Sequence, residues 1–270
     1  MRNLLPRVLV AALGIPLLVL LAKEGVWTRG LLVVALQALI LREWIPLTAA
    51  RGAHVSLAGA AIAAAGLDVL VFTSGGGVGL AAGLAAVSFM LIVEVFRRSR
   101  QPLLNLGASA LFLLYVCLPL ALWFVLDNTG GSSRFAPVGA LVSLWLSTWL
   151  CDTAAYAVGR TLGKHKLYPA ASPHKTIEGF VGGIVGAVAA PLIMSALGWT
   201  RMSPLDVLVL GAAVGLVGQA GDLLESLMKR EAQIKDSSSF LPGHGGLLDR
   251  FDSLLLSTPF FYAYLILSGV

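Results

Sequence analysis

Long apolar stretches separated by short polar gaps recur along the whole chain, at approximately 8–22, 30–45, 55–73, 78–96, 107–126, 136–158, 179–198, 204–224 and 253–269. A helix needs about 20 mostly apolar residues to cross a bilayer. The pattern therefore predicts an all-α polytopic membrane protein with about nine transmembrane helices. Residues 1–270 read as one integral membrane domain, with N-terminal helices over 1–135 and the helices and loops that carry polar chemistry over 136–270. Glycine and other small residues alternate between 179 and 190, a composition that lets helix backbones approach closely. Arg2 and Arg7 precede the first apolar run in the manner of a secretory leader. Lys23 and Glu24 then follow instead of a small-x-small cleavage pattern, so a retained first span is expected.

Composition supports this reading. Hydrophobic residues make up 57% of the chain and charged residues only 12%, against about 25% charged in a soluble domain. The charges are also unevenly placed. The N-terminus and every second loop collect fifteen of the 19 Lys and Arg residues, and the opposite side holds only Lys23, Arg29, Arg134 and Arg201. The positive-inside rule then puts the N-terminus in the cytoplasm and the C-terminus outside. Cys117 and Cys151 sit in apolar stretches without metal-ligand spacing and read as buried thiols.

Carboxylates within or at the ends of spans are costly and usually functional. Asp68, Glu94, Asp152, Asp222 and Glu225 stand out by this test. Asp68 reads as a helix-end carboxylate at the interface, and Glu94 as a local partner of Arg97 or Arg98. Asp152 and Asp222 each precede a long loop on the basic side: residues 159–179 and residues 225–253. These loops hold Lys164, Lys166, Lys175, Lys229, Arg230, Lys235 and Arg250, together with Asp236, Asp249, Asp252 and the run Gly243-His244-Gly245-Gly246. Loops that only enforce topology need the basic residues but not the aspartates and glycines. The mixture suits a divalent cation, phosphate oxygens and close backbone approach. Ser172-Pro173 reads as the N-cap and first position of the next helix, with Lys175 and Thr176 in a first turn that could receive an anion. Asp252-Ser253 reads as the start of the last span. Gly159 to Lys164 is one residue too short between its glycines for a P-loop, and His165 stands where Ser or Thr should bind the metal.

Residues Ser226 to Arg230, Lys235-Asp236 and Leu241 to Asp252 resemble the signature of the phosphatidate cytidylyltransferases (CDP-diacylglycerol synthases). Cys151 to Tyr156, Gly159-Arg160, Ser172 to Gly179 and Gly221 to Ser226 resemble further segments of that family. Residues 1–135 match only in hydrophobicity and length. His174 stands where family members often have lysine. The resemblance implies a nucleotidyltransferase of phospholipid biosynthesis that converts CTP and phosphatidic acid into CDP-diacylglycerol and pyrophosphate, with Mg2+ as cofactor and a second cation left open. It implies Asp222 and Asp249 as the leading metal ligands, with Asp152 as a third anchor. Lys229, Arg230, Lys235 and Arg250 would hold phosphates, and Lys164, Lys166, Lys175, Thr176, Ser226 and His244 would join them in binding substrate. The expected partners are CTP, phosphatidic acid and the bilayer of the cell (inner) membrane, with the site facing the cytoplasm. No nucleic-acid partner is expected, and a homodimer is left open.

Two other readings compete. One is a different membrane CTP-dependent enzyme, either a cytidylyltransferase for another lipid phosphate or a lipid kinase. The other is a transporter using the intramembrane aspartates. Transport needs a midplane site reached from both faces, whereas these charges gather at one face.

Overall fold

A computed structural model describes residues 4–73, 77–128, 132–234, 237–238 and 245–268. Within these residues the long helices are α1 (Leu4–Lys23), α2 (Val26–Ala49), α3 (Leu57–Phe72), α4 (Gly77–Arg97), α5 (Pro102–Leu122), α6 (Ala140–Leu162), α7 (Ile177–Ala196), α8 (Pro204–Glu231) and α9 (Leu248–Leu267). Six of them, α2, α4, α5, α6, α7 and α8, are long and apolar enough to cross a membrane; the apolar pieces Gly14–Lys23 and Leu57–Phe72 are shorter. The all-α class holds, and one short β element sits in the first of the expected long loops. Lys166–Tyr168 (β1) and Ser172–Thr176 (β2) form an antiparallel hairpin between α6 and α7.

The hairpin overturns the expected cap at Ser172-Pro173. A residue before proline is pushed toward extended geometry, so Ser172 suits a strand. Thr176 caps α7 instead, its hydroxyl accepting the Gly179 N–H at 3.1 Å. The first-turn acid Glu178 accepts from the Lys164 and His165 amides at 3.0 and 3.2 Å and meets His165 Nδ1 at 2.6 Å, fastening the hairpin's first residues to the helix N-terminus.

Two helices contain a widened turn. In α5 it covers Leu113–Cys117, two residues ahead of Pro119. The proline has no N–H and its ring would clash with the carbonyl of the preceding turn, and a π-turn relieves that conflict. In α8 it covers Ala213–Gly218 and ends one residue before Gln219. α8 then runs on to Glu231, past the expected end near 224, as a polar helix rather than a loop.

The chain packs as two compact units: 1–125 with 229–250, and 126–228 with 251–270. The residues from Lys229 to Arg250 fall in the unit of the N-terminal helices. The N-terminal unit centres on Trp44, whose ring lies 5.8 Å from Phe112 and whose Nε1 donates to Ala108 O at 3.0 Å. Asp68 is buried there, accepting from Gln37 Nε2 at 2.9 Å. Glu94 pairs with Arg97 at 2.9 Å, as its i,i+3 spacing suggests.

In the other unit α6 and α7 lie against each other through the small residues noted above. A Cβ on Gly179 or Gly186 would come within 2.9 Å of Ala155 O or 2.8 Å of Leu150 O, so only glycine permits this spacing. At the far end of α8 the fully buried Asp206 closes a capping box with Ser203 and binds Arg134 at 3.0 Å and Tyr264 at 2.7 Å.

Candidate active site

In the unit of residues 126–228 with 251–270, a cavity of about 510 Å³ is lined by charged and polar side chains of α6, the hairpin and α8. α6 contributes Asp152, Tyr156, Gly159 and Arg160, which share one helix face by their three- and four-residue spacing. The hairpin contributes His174, Lys175 and Thr176, and α8 contributes Gln219 and Asp222. Gln219 ties α8 to α7 by donating to Phe180 O at 3.0 Å. Lys175 Nζ lies 2.5 Å from Asp222 Oδ2. Arg160 donates to Tyr156 OH at 2.7 Å. The cavity therefore presents carboxylates and cations side by side, which suits phosphate groups carried with a divalent ion.

Asp252 adds a third carboxylate. It is buried, 7% exposed, and close enough to Asp222 and Asp152 to interact with both electrostatically. The expected role of Asp252 as the cap of the last span is overturned. α9 begins at Leu248, one turn earlier, because the signature residues Asp249 and Arg250 are themselves helical. Among the described residues no three His, Cys, Asp or Glu side chains come together as a ready-made metal cage. Magnesium commonly takes only one or two carboxylates and completes its shell with water and substrate phosphates. The pair Asp152 and Asp222 at the cavity wall fits that donor set.

In the N-terminal unit the signature segment is organised around two acids. Asp249 Oδ1 receives Lys229 Nζ at 2.5 Å, and its Oδ2 receives the Gly246 N–H at 2.9 Å and the Ser237 N–H at 3.3 Å. Glu43, on α2, accepts from Ser237 Oγ at 2.9 Å, Ser238 Oγ at 2.6 Å, Leu247 N at 2.8 Å and Leu248 N at 2.9 Å.

The structure thus brings Asp152, Asp222, Lys175 and Thr176 to one cavity, and Lys229 to Asp249. Lys164, in the link between α6 and β1, and Lys166, on β1, are exposed and do not line the cavity, nor does Ser226 on α8. Arg230 and Arg250 are exposed near the ends of α8 and α9. Lys235, Asp236 and His244 lie outside the described residues. Sequence reasoning passes over Glu43 and gives no site role to Tyr156, Arg160 and Gln219. Glu43 lies inside the expected 30–45 span, so the rule that singles out Asp68 would have found it. Tyr156 and Arg160 stand in segments that carry the family resemblance.

The chain matches the cytidylyltransferase family over residues 5–268. It is 37% identical over 185 residues to a phosphatidate cytidylyltransferase of Staphylococcus epidermidis (strain ATCC 35984), covering 68% of each chain. It is 36% identical over 186 residues to that of Staphylococcus aureus (strain COL), covering 68% of this chain and 69% of the relative. The corresponding Bacillus subtilis (strain 168) protein is 47% identical over 119 residues, 44% of each chain. With a match that runs nearly end to end and includes every wall of the cavity, this chain belongs to the cytidylyltransferase family.

Proposed function

We propose that the chain is a phosphatidate cytidylyltransferase, transferring the cytidylyl group of CTP to phosphatidic acid with release of pyrophosphate. The observation that carries this reading is the Lys175–Asp222 pair in a cavity bounded by helices apolar enough to enter a bilayer. A nucleotide arrives from water and a lipid phosphate from the membrane, and a polar cavity among such helices can receive both.

In the reaction an oxygen of the lipid phosphate forms a bond to the α-phosphorus of CTP as the bond from that phosphorus to the bridging α–β oxygen breaks. Pyrophosphate leaves with that oxygen. A phosphate monoester is largely dianionic at neutral pH, its second pKa being about 6, so no strong general base is required. The chain's task is in-line positioning and charge neutralisation. Lys175 and Arg160 face the cavity and would hold phosphate oxygens. Thr176 is occupied in capping α7, so its hydroxyl serves the backbone. Asp222 with Asp152 would hold magnesium, which supplies positive charge at the phosphates when bound. Asp249, also expected as a ligand, already holds Lys229 and two amides, so its first role is to fix that lysine.

The charge asymmetry supports a cytoplasmic N-terminus and a cytoplasmic placement of 159–179 and 225–253 in the cell membrane. The direct test is purified protein in detergent with CTP, magnesium and phosphatidic acid. Pyrophosphate should appear only when the lipid is present. Release of equal size without lipid would mean that the chain hydrolyses the nucleotide.

A further inference from the structure

From the geometry we infer that Glu43 is a positioning residue for the signature segment, although it lies about two hundred residues away in sequence. Glu43 is 4% exposed. An ionised carboxylate offers about four acceptor sites, and four donors fill them. Ser238 Oγ and the Leu247 N–H meet Oε1, and Ser237 Oγ and the Leu248 N–H meet Oε2. All four donors belong to the signature segment or the first turn of α9.

The Leu247 and Leu248 amides are N-terminal donors of α9 that have no partner within the helix. A buried anion at that position also favours the positive end of the helix dipole. Glu43 therefore acts as the cap of α9, supplied from a different helix. Gly246 makes this possible. A Cβ there would collide first with Ser237 Oγ and would also fall 2.6 Å from Glu43 Oε2, so any side chain would displace both the serine and the carboxylate.

The consequence reaches the charged pair. Ser237 Oγ lies 2.9 Å from Glu43 Oε2 and 3.1 Å from Asp249 Oδ2, so its one proton is shared between the two acids. Glu43 fixes Ser237 and Leu248. Ser237 and Gly246 fix Asp249, and Asp249 fixes Lys229. The inference rests on the proposed function, in that the signature segment serves cytidylyl transfer.

Glu43→Gln keeps the shape but replaces one acceptor oxygen with an NH2 facing two donors. The segment must shift, and small displacements of reacting groups cost about tenfold to a hundredfold in kcat. The expected result is a kcat loss of that size with the KM for CTP within about threefold of wild type. Hydrogen exchange should rise in the peptide 245–250 and stay unchanged in the rest of α2 and α9. Gly246→Ala should reproduce both effects from the other side, and Glu43→Asp, which keeps the charge, should recover part of the protection. Two results would overturn the inference: wild-type kcat in Glu43→Gln, or exchange raised equally throughout α2 and α9, which marks a general brace of the fold. If Glu43→Gln does not accumulate, Gly246→Ala decides by the same two readouts. Should the wild-type protein transfer no cytidylyl group, the proposed function falls; normal wild-type turnover matched by Glu43→Gln sinks only the role of Glu43.

Discussion

Lys229 Nζ and Asp249 Oδ1 stand 2.5 Å apart, with their side chains only 13% and 10% exposed. Twenty residues of sequence separate them. The pair joins the last turn of α8 to the first turn of α9, and it is shielded enough to differ from the surface pairs that contribute little. Breaking a buried pair from one side leaves a charge without compensation.

Lys229→Ala should therefore both slow turnover and weaken the fold. The backbone N–H donors of Gly246 and Ser237 remain on Asp249, so the cost should be about 2 kcal/mol rather than the larger values for a wholly stranded charge. Thermal unfolding in detergent would measure it. An unchanged midpoint would mean that the pair opens to solvent.

Asp222→Asn should abolish transfer while the protein stays folded and inserted, since its partner Lys175 is partly exposed and can be solvated. A loss of at least about a hundredfold is expected for a group that neutralises charge at the reacting phosphates. Asp249→Asn separates the two expected metal ligands. If Asp249 only organises Lys229, turnover falls but the magnesium midpoint stays in place; a midpoint displaced as far as in a metal-ligand variant would assign Asp249 to the cation.

Asp252 lies near Asp222 and Asp152 but is buried inside α9. It would act on a cation held by Asp222 and Asp152 through its field rather than as a ligand. Asp252→Asn should raise the magnesium concentration needed for half-maximal rate about threefold to tenfold, with near-normal rate at saturation. A titration curve identical to wild type would show that Asp252 does not act on the cation.

Cysteine at position 165 or 233 should resist an impermeant thiol reagent added to intact cells and react once the cells are opened. The native Cys117 and Cys151 are buried and give a quiet background. Labelling in intact cells would reverse the proposed orientation and place the cavity outside.

Much of the fold was legible because membrane helices follow a coarse rule, a sufficient length of apolar sequence. Each expected span overlaps a helix, although α8 continues seven residues beyond 224 as polar helix. The hairpin was not legible. Ser172-Pro173 satisfies the pattern of a helix start as well as that of a strand, and pairing with Lys166–Tyr168 decides between them only in three dimensions. Asp152 and Asp222 were legible as costly charges flanking basic loops, and Lys175 as a cation within one of those loops. Glu43 shows the limit: its meaning depends on four donors about two hundred residues away, and no local spacing announces them.

The central claim is that the α-phosphate of CTP, with its cytidine, ends on the lipid. CTP labelled at the α-phosphate and CTP labelled at the γ-phosphate, each incubated with the protein, magnesium and phosphatidic acid, test it most directly. Label from the α-position should enter the lipid fraction while label from the γ-position leaves as pyrophosphate. Lipid labelled from the γ-position, with CDP accumulating, would contradict the account and identify a CTP-dependent lipid kinase.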